Sequence, residues 1–381
     1  MSVKRDIFIV ANNIEELGGV QRWVHVMADL FTKAGHRVHA IGLVHPQQSY
    51  PQALDGSYRT TTIHEVHPPN PTYGSLRRRA MPKAALDNAR RRTAIRKGAQ
   101  ELSRIFRGAR SGGVVICTQV WAMEWLLEAD THGMPVIGMS HESMAASKST
   151  SRYGRIKLFY PGVDRFLLLT QEDADAWALT GMSQSGAMPN PLTADIPGIS
   201  SLTARTVVAF GRLSHEKGFD LLIESWRDVA RVHPDWTLRI YGEGPEEAAL
   251  RAQIAAAALT GSVELMGQTA DVGGALMEAS MLVLPSRQEG WGLVLVEAMT
   301  AGVPCVAFDC APSIREIITD EKDGLVIVPG NVLEFGKAIN RLIEDSGLRE
   351  SLGGAAEASA QRYSPDRIVA QWEREFDSLY R

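Results

Sequence analysis

The apolar residues of this chain fall into short continuous runs, each followed by a polar loop and then by a stretch of helical period. Asp6–Ala11 opens the pattern, and a run without alternation suits a strand covered on both faces, as in a parallel sheet. It leads into the loop NNIEELGG, ending in Gly18-Gly19, and then into an amphipathic helix from Val20 to about Ala34. Strands are predicted next at His36–Val44, Tyr58–Val66, Gly113–Thr118, Pro135–Ser140 and Asp164–Thr170. Helices are predicted over Lys83–Arg107 and Ala122–Asp130, with Thr170 capping a further one. After Pro135–Ser140 come His141-Glu142 and a loop of small residues to Ser151.

The rhythm stops at Pro189-Asn190-Pro191-Leu192. From there to Thr203 the chain is rich in proline, serine and threonine, which predicts a linker and a hinge. It resumes with strands at Thr206–Phe210, Trp236–Tyr241, Val263–Met266, Met281–Leu284, Pro304–Phe308 and Gly324–Val328. Helices are predicted over Phe219–Val232, Glu246–Ala257, Val332–Ser346, Leu348–Tyr363 and Asp366–Arg381. Strand–helix alternation of this kind predicts an α/β chain of two Rossmann-like, doubly wound domains, residues 1–190 and 203–363. Residues 364–381 form a final helix with Ile368, Val369, Trp372, Phe376 and Leu379 on one face.

Composition narrows the classes. With 381 residues, 45% hydrophobic and 22% charged, the chain has the make-up of a soluble globular protein. The three cysteines, Cys117, Cys305 and Cys310, have no metal-ligand spacing, which predicts reduced thiols and a cytoplasmic setting. The first apolar run is too short for a signal peptide, and no run is long enough to span a membrane. The net charge of −4 is uneven: +6 through Asp195 and −10 beyond it. Twelve basic residues between Arg77 and Arg110 face only Asp87 and Glu101. Such a segment suits an anionic partner, a membrane surface or a phosphorylated acceptor, or is simply a solvated helix. Without aromatic interleaving, nothing favours nucleic acid.

The chemistry concentrates in loops that follow strands. Gly18-Gly19 does not spell the dinucleotide fingerprint, and no acidic residue ends the second strand, which argues against a dehydrogenase. The glycines instead admit close approach of a bound group, or form a plain turn. Asp173 and Asp175 form a DxD within a predicted helix, where they point apart and suit no metal. In the second half, Gly211-Arg212 and Lys217 follow one strand, Gly242-Glu243-Gly244 the next, Gln268 another, and Glu289-Gly290-Trp291-Gly292 another. All therefore lie on one sheet edge. Arg212 and Lys217 suit a diphosphate, one as a fork and one as a point charge. A helix starting near Gly292 offers the free N–H groups of Gly292, Leu293 and Val294 as a phosphate seat. Glu289 and Glu297, eight residues apart, bracket that seat.

The segments GRLSHEKGFDLLIESW, YGEGPEEAALRAQI and SRQEGWGLVLVEAMTAGVPCVAF resemble the nucleotide-sugar domain of the retaining glycosyltransferases of family 4, with the GT-B fold. The resemblance covers nearly all of Thr206–Val328 and is looser before it, resting on Gly18-Gly19, His141 and PNPL. It is greatest to bacterial enzymes that glycosylate surface polysaccharide, teichoic acid or lipid-linked acceptors. The resemblance implies two domains facing across a cleft, with the final helix crossing back to the first. It assigns Arg212 and Lys217 to the leaving diphosphate, Glu289 to the transferred sugar and Glu297 to the ribose. Gly211, Gln268, Gly290 and Gly292 would line the donor site. Gly18-Gly19 would approach the diphosphate from the first domain, and His141 would contact the sugar. The family often has aspartate after that histidine; here Glu142 follows. The implied donor is a UDP-sugar, with no cofactor and no metal, because side chains neutralise the diphosphate. A nucleotide-sugar 2-epimerase or a non-catalytic sugar-nucleotide-binding protein are the alternatives. Acceptor contacts would lie in Gln47–Asp55, His67–Lys83 and Ala145–Tyr153.

Overall fold

A computed structural model describes residues 3–16, 18–46, 57–69, 82–110 and 112–380. The loop Gln47–Asp55, most of His67–Lys83 and Arg77 to Arg79 of the basic segment lie outside the described residues. The chain divides into two compact units, Met1–Met188 with Val369–Arg381, and Pro189–Ile368.

The first unit is built on seven strands: β1 Asp6–Ala11, β2 Arg37–Val44, β3 Arg59–His64, β4 Val114–Cys117, β5 Val136–Met139, β6 Arg165–Leu168 and β7 Ser185–Ala187. They pair in parallel in the order β3-β2-β1-β4-β5-β6-β7. Every residue of β1 and β4 is buried, as continuous apolar runs require of central strands with helices on both faces. The order reverses between β1 and β4, so the crevice at that reversal opens beside the loop that carries Gly18 and Gly19.

Two sequence expectations are corrected in this unit. The stretch from Ser143 to Ser151 is not a loop throughout: it holds the helix Met144–Lys148, and a further helix, Arg152–Phe159, follows it. Ser143 starts the first by accepting a hydrogen bond from the Ala146 amide, and the alanines there favour helix. The three-residue edge strand β7 was not foreseen, because Ser185-Gly186-Ala187 carries no apolar run.

The helix Pro365–Ser378, from Val369 on, completes the first unit from the far end of the chain. Trp372 and Phe376 are fully buried, with ring centroids 5.8 and 5.6 Å from Phe31, and Trp372 lies 6.0 Å from Trp23. Arg5 grips Asp377 at 2.7 Å, and Arg165 pairs with Glu375.

The second unit has six parallel strands: β8 Thr206–Phe210, β9 Thr237–Tyr241, β10 Val263–Gly267, β11 Met281–Leu284, β12 Cys305–Phe308 and β13 Leu325–Ile327. Their order is β10-β9-β8-β11-β12-β13, reversing between β8 and β11. The helix Phe219–Val232 packs Leu222, Ile223 and Trp226 into the core, and the Trp226 indole N–H reaches Ser262 Oγ at 3.2 Å.

Candidate functional site

Glycines with no room for a side chain set the geometry of the second unit's carboxyl edge. Gly218, at φ +68, ends the one-turn helix His215–Lys217; a Cβ there would stand 2.1 Å from the Pro285 carbonyl oxygen. A Cβ on Gly242, at φ +146, would meet the Gly211 carbonyl oxygen at 1.8 Å, and one on Gly244 the Leu213 oxygen at 2.3 Å. The loops after β8, β9 and β11 therefore touch backbone to backbone.

Ion pairs fasten the same loops. Arg287 binds Asp220 through two hydrogen bonds, 2.7 and 2.6 Å, and donates to the His215 carbonyl at 2.8 Å. Its backbone N–H reaches the Glu216 carbonyl at 2.8 Å. The Arg287 hydrogen bonds hold Asp220 below its ordinary pKa and Arg287 above its own.

Between these fasteners, Lys217 Nζ donates to Glu289 Oε1 at 2.6 Å, and Ser286 Oγ donates to the same oxygen at 2.7 Å. Glu289 is buried, while the Lys217 side chain keeps about a quarter of its surface open. One partner follows β8 and the other β11, so the pair straddles the reversal of strand order, where open α/β sheets bind ligands. Arg212 is exposed one residue beyond Gly211, and its carbonyl accepts the Ser214 amide at 2.8 Å. Gln268 is exposed after β10. Cys310, after β12, has its thiol pushed up to about 12 by burial and by the nearby Glu289 charge.

Gly292, at φ +82, precedes the helix Leu293–Thr300, whose first turn has no side-chain cap. Its leading N–H groups are left to water or to a ligand, with Gly290, Leu293 and Val294 partly exposed around them. Glu297 lies buried a turn further on and accepts from Thr193 Oγ1 at 3.2 Å.

In the first unit, Gly18 precedes the helix Gly19–Lys33, again without a side-chain cap. A Cβ on Gly18 would strike Gln21 Oε1 at 2.4 Å, whereas one on Gly19 would meet nothing within 4 Å. At Gly18 only the end of the Gln21 side chain stands in the way, and Gly19 borders open space. His141, just past β5, packs edge-on against Trp23 with centroids 5.0 Å apart, and its buried Nε2 has no hydrogen-bond partner. Burial drops its pKa to about 4, so the imidazole is neutral at physiological pH. Asp173 of the DxD pair is a structural group: its carboxylate accepts the Met144 amide at 2.7 Å and the Thr170 hydroxyl at 2.9 Å. Among the described residues no three His, Cys, Asp or Glu side chains gather as a metal site, and no helix is long and apolar enough to cross a membrane.

Sequence reasoning missed Ser286, Arg287, Asp220 and Trp23. The first three carry no signal beyond being polar beside a motif, and Trp23 reads as one more apolar position of an amphipathic helix.

Two parallel-sheet, Rossmann-like domains of this kind make the GT-B fold of glycosyltransferases. The pneumococcal O-GlcNAc transferase GtfA, solved with UDP and GlcNAc, shares it with a TM-score of 0.78 at 14% identity, covering 99% of both chains. Residues 198–359 match the family model for glycosyl transferases group 1, so the second unit carries that domain. An exopolysaccharide phosphotransferase of Streptomyces coelicolor is 37% identical over 224 residues, 58% of this chain and 24% of that protein. The chain likewise spans only 60% and 46% of two further curated relatives. The phosphatidyl-myo-inositol mannosyltransferase of Mycobacterium leprae is 25% identical over 376 residues, 95% of this chain and 93% of the other.

Proposed function

We propose that the chain is a retaining glycosyltransferase that moves a hexose or N-acetylhexosamine from UDP to a hydroxyl of a glycan, polyol-phosphate or lipid-linked acceptor. The observation that carries this is the Lys217–Glu289 pair at the reversal between β8 and β11, with exposed Arg212 beside it. UDP as the donor nucleotide is supported by the GtfA complex, and a lipid-linked acceptor by the mannosyltransferase relative.

In this reading Lys217 and Arg212 neutralise the diphosphate as it leaves, and the amides from Gly292 to Val294 seat its oxygens. Glu289 accepts hydrogen bonds from hydroxyls of the transferred sugar, while Glu297 serves the ribose. His141, being neutral, offers or accepts one hydrogen bond to the sugar without adding charge. The bond from the anomeric carbon to the diphosphate breaks, and a bond to the acceptor oxygen forms on the same face. The acceptor proton passes to the departing phosphate oxygen. The two cations already meet the charge of the diphosphate, so the reading needs no metal, and turnover should persist in EDTA.

The helix Pro82–Phe106 turns Lys83, Arg90, Arg92, Arg96 and Lys97 to solvent. This supports peripheral contact with an anionic membrane at the cytoplasmic face. Flotation with neutral and anionic liposomes tests it; equal recovery removes it.

The main test incubates the protein with UDP-glucose, UDP-galactose, UDP-N-acetylglucosamine and GDP-mannose, with and without bacterial envelope glycans. Acceptor-dependent UDP release with an α-linked product is expected. Conversion of one sugar nucleotide into another would mark an epimerase, and binding without turnover a sensor; either sinks the proposal.

A further inference from the structure

Both ends of the segment from Trp291 to Glu297 are tied to the stretch where the chain first enters the second unit. Glu297 is buried in the helix Leu293–Thr300 beside the buried apolar residues Leu295, Val296, Ala298 and Met299. A carboxylate in such company needs hydrogen-bond donors, and one of them is Thr193 Oγ1 at 3.2 Å. Thr193 lies 104 residues away in the chain, in the proline-rich linker. At the other end of the segment, the buried Trp291 meets Tyr363 edge-on, with ring centroids 5.4 Å apart. Tyr363 is held in turn: its carbonyl accepts the Leu192 amide at 2.9 Å, and its hydroxyl donates to the Glu316 carbonyl at 3.0 Å.

These contacts close a ring. It runs from Trp291 to Tyr363, to Leu192, along the chain to Thr193, across to Glu297, and back through Val294, Leu293 and Gly292 to Trp291. Every member belongs to the second unit. Pro191, buried just before Leu192, has its φ fixed by its own ring and stiffens the approach to Thr193. A carboxylate can accept about four hydrogen bonds, so the bond from Thr193 orients Glu297 without exhausting it. The rotamer freedom of a long side chain is then given up on folding instead of on binding, which is preorganisation.

We propose that Thr193 is a positioning residue of the donor site: its hydroxyl fixes the Glu297 carboxylate in the orientation that accepts the ribose hydroxyls of the nucleotide. This rests on the reading of the chain as a UDP-sugar transferase, and adds to that site a residue of the linker, outside the loops that follow the strands. Thr193 acts through Glu297 and not on the donor. What the role needs is an O–H at this place, so serine can supply it, and valine, close to threonine in shape, cannot.

Binding of UDP and of 2′,3′-dideoxy-UDP to the full chain is measured by calorimetry, with melting curves as folding controls. The parent should bind UDP about tenfold or more tightly than the dideoxy nucleotide, as hydrogen bonds to a charged group commonly provide. Thr193→Val should weaken UDP binding about fivefold or more and leave the dideoxy nucleotide unaffected, so that the discrimination shrinks. Thr193→Ser should keep the parent's discrimination. Glu297→Gln should lose it, and adding Thr193→Val to that variant should cost nothing further. An equal loss for both nucleotides in Thr193→Val would mark a merely structural residue and overturn the proposal. Unchanged UDP binding in Thr193→Val, or a serine variant that behaves like valine, also overturns it. A parent that binds UDP without discriminating removes the ribose role of Glu297, and this inference with it, but leaves the transferase reading standing. A parent that binds no UDP defeats that reading itself.

Discussion

Lys217 and Glu289, 72 residues apart in the chain, share a 2.6 Å hydrogen bond across the point where the second sheet reverses its strand order. Each neutralises the other while the site is empty, and each is proposed to turn to a different part of the donor when it is full.

Lys217→Ala should slow transfer by about 100-fold or more, since removing one stabilising donor at a developing negative charge commonly costs roughly 3–4 kcal/mol of barrier. It also leaves Glu289 buried without its cation, so donor binding should weaken too. Steady-state kinetics checks both; near-normal turnover would discard the assignment.

Arg287→Ala tests whether the loops must be held together. Exposed ion pairs contribute about 1 kcal/mol or less, so the melting temperature should fall by only a few degrees. Transfer should fall by tenfold or more, because the loop carrying Glu289 loses its link to Asp220 and His215. The Asp220 contribution has a definite pH window. Its folded pKa lies below the ordinary 3.8, so the stabilisation is present above that value and is lost as pH falls through the lower folded one. Acid titration of the Arg287→Ala variant against the parent, followed by circular dichroism, would show the difference vanish there.

Two buried histidines set a stability slope at milder pH. His141 and His39 both have pKa values lowered from 6.5 to about 4, chiefly by burial. The unfolded chain therefore takes up protons first, and stability should decrease as pH drops from about 6.5 toward 4. Urea midpoints measured at pH 7.5 and 5 should show the decrease, and His141→Gln should reduce it. Activity should show no step near 6.5 from His141, because that imidazole stays neutral.

Gly242→Ala should be far more damaging than an ordinary surface change. The new methyl would overlap the Gly211 carbonyl and sit at a φ that disfavours side chains. A loss of about 2 kcal/mol or more is expected, together with weakened UDP binding. Thermal melts and nucleotide titration check it; a variant that matches the parent in both would show that this loop contact is dispensable.

Much of this architecture can be read from the residues. Continuous apolar runs such as Ile7–Ala11 and Met281–Leu284 declare buried parallel strands, and the polar residues after them mark the sheet edge. Glu289 and Lys217 stand out for that reason. What cannot be read is tertiary. Nothing local in Arg287 announces Asp220 as its partner, because 67 residues separate them and only folding brings them together. Trp23 packs against His141 from what looks like a core-facing helix position. The helix Met144–Lys148 is hidden because alanine and serine have no apolar period, and its start depends on one serine cap.

The helix Pro365–Ser378 has a consequence for the order in which the protein is made. On the ribosome, the first 188 residues emerge before Trp372 and Phe376, which later cover Phe31 and, in the case of Trp372, Trp23. The second unit, continuous in the chain, can therefore finish before the first. In this protein the segment translated first is the one completed last.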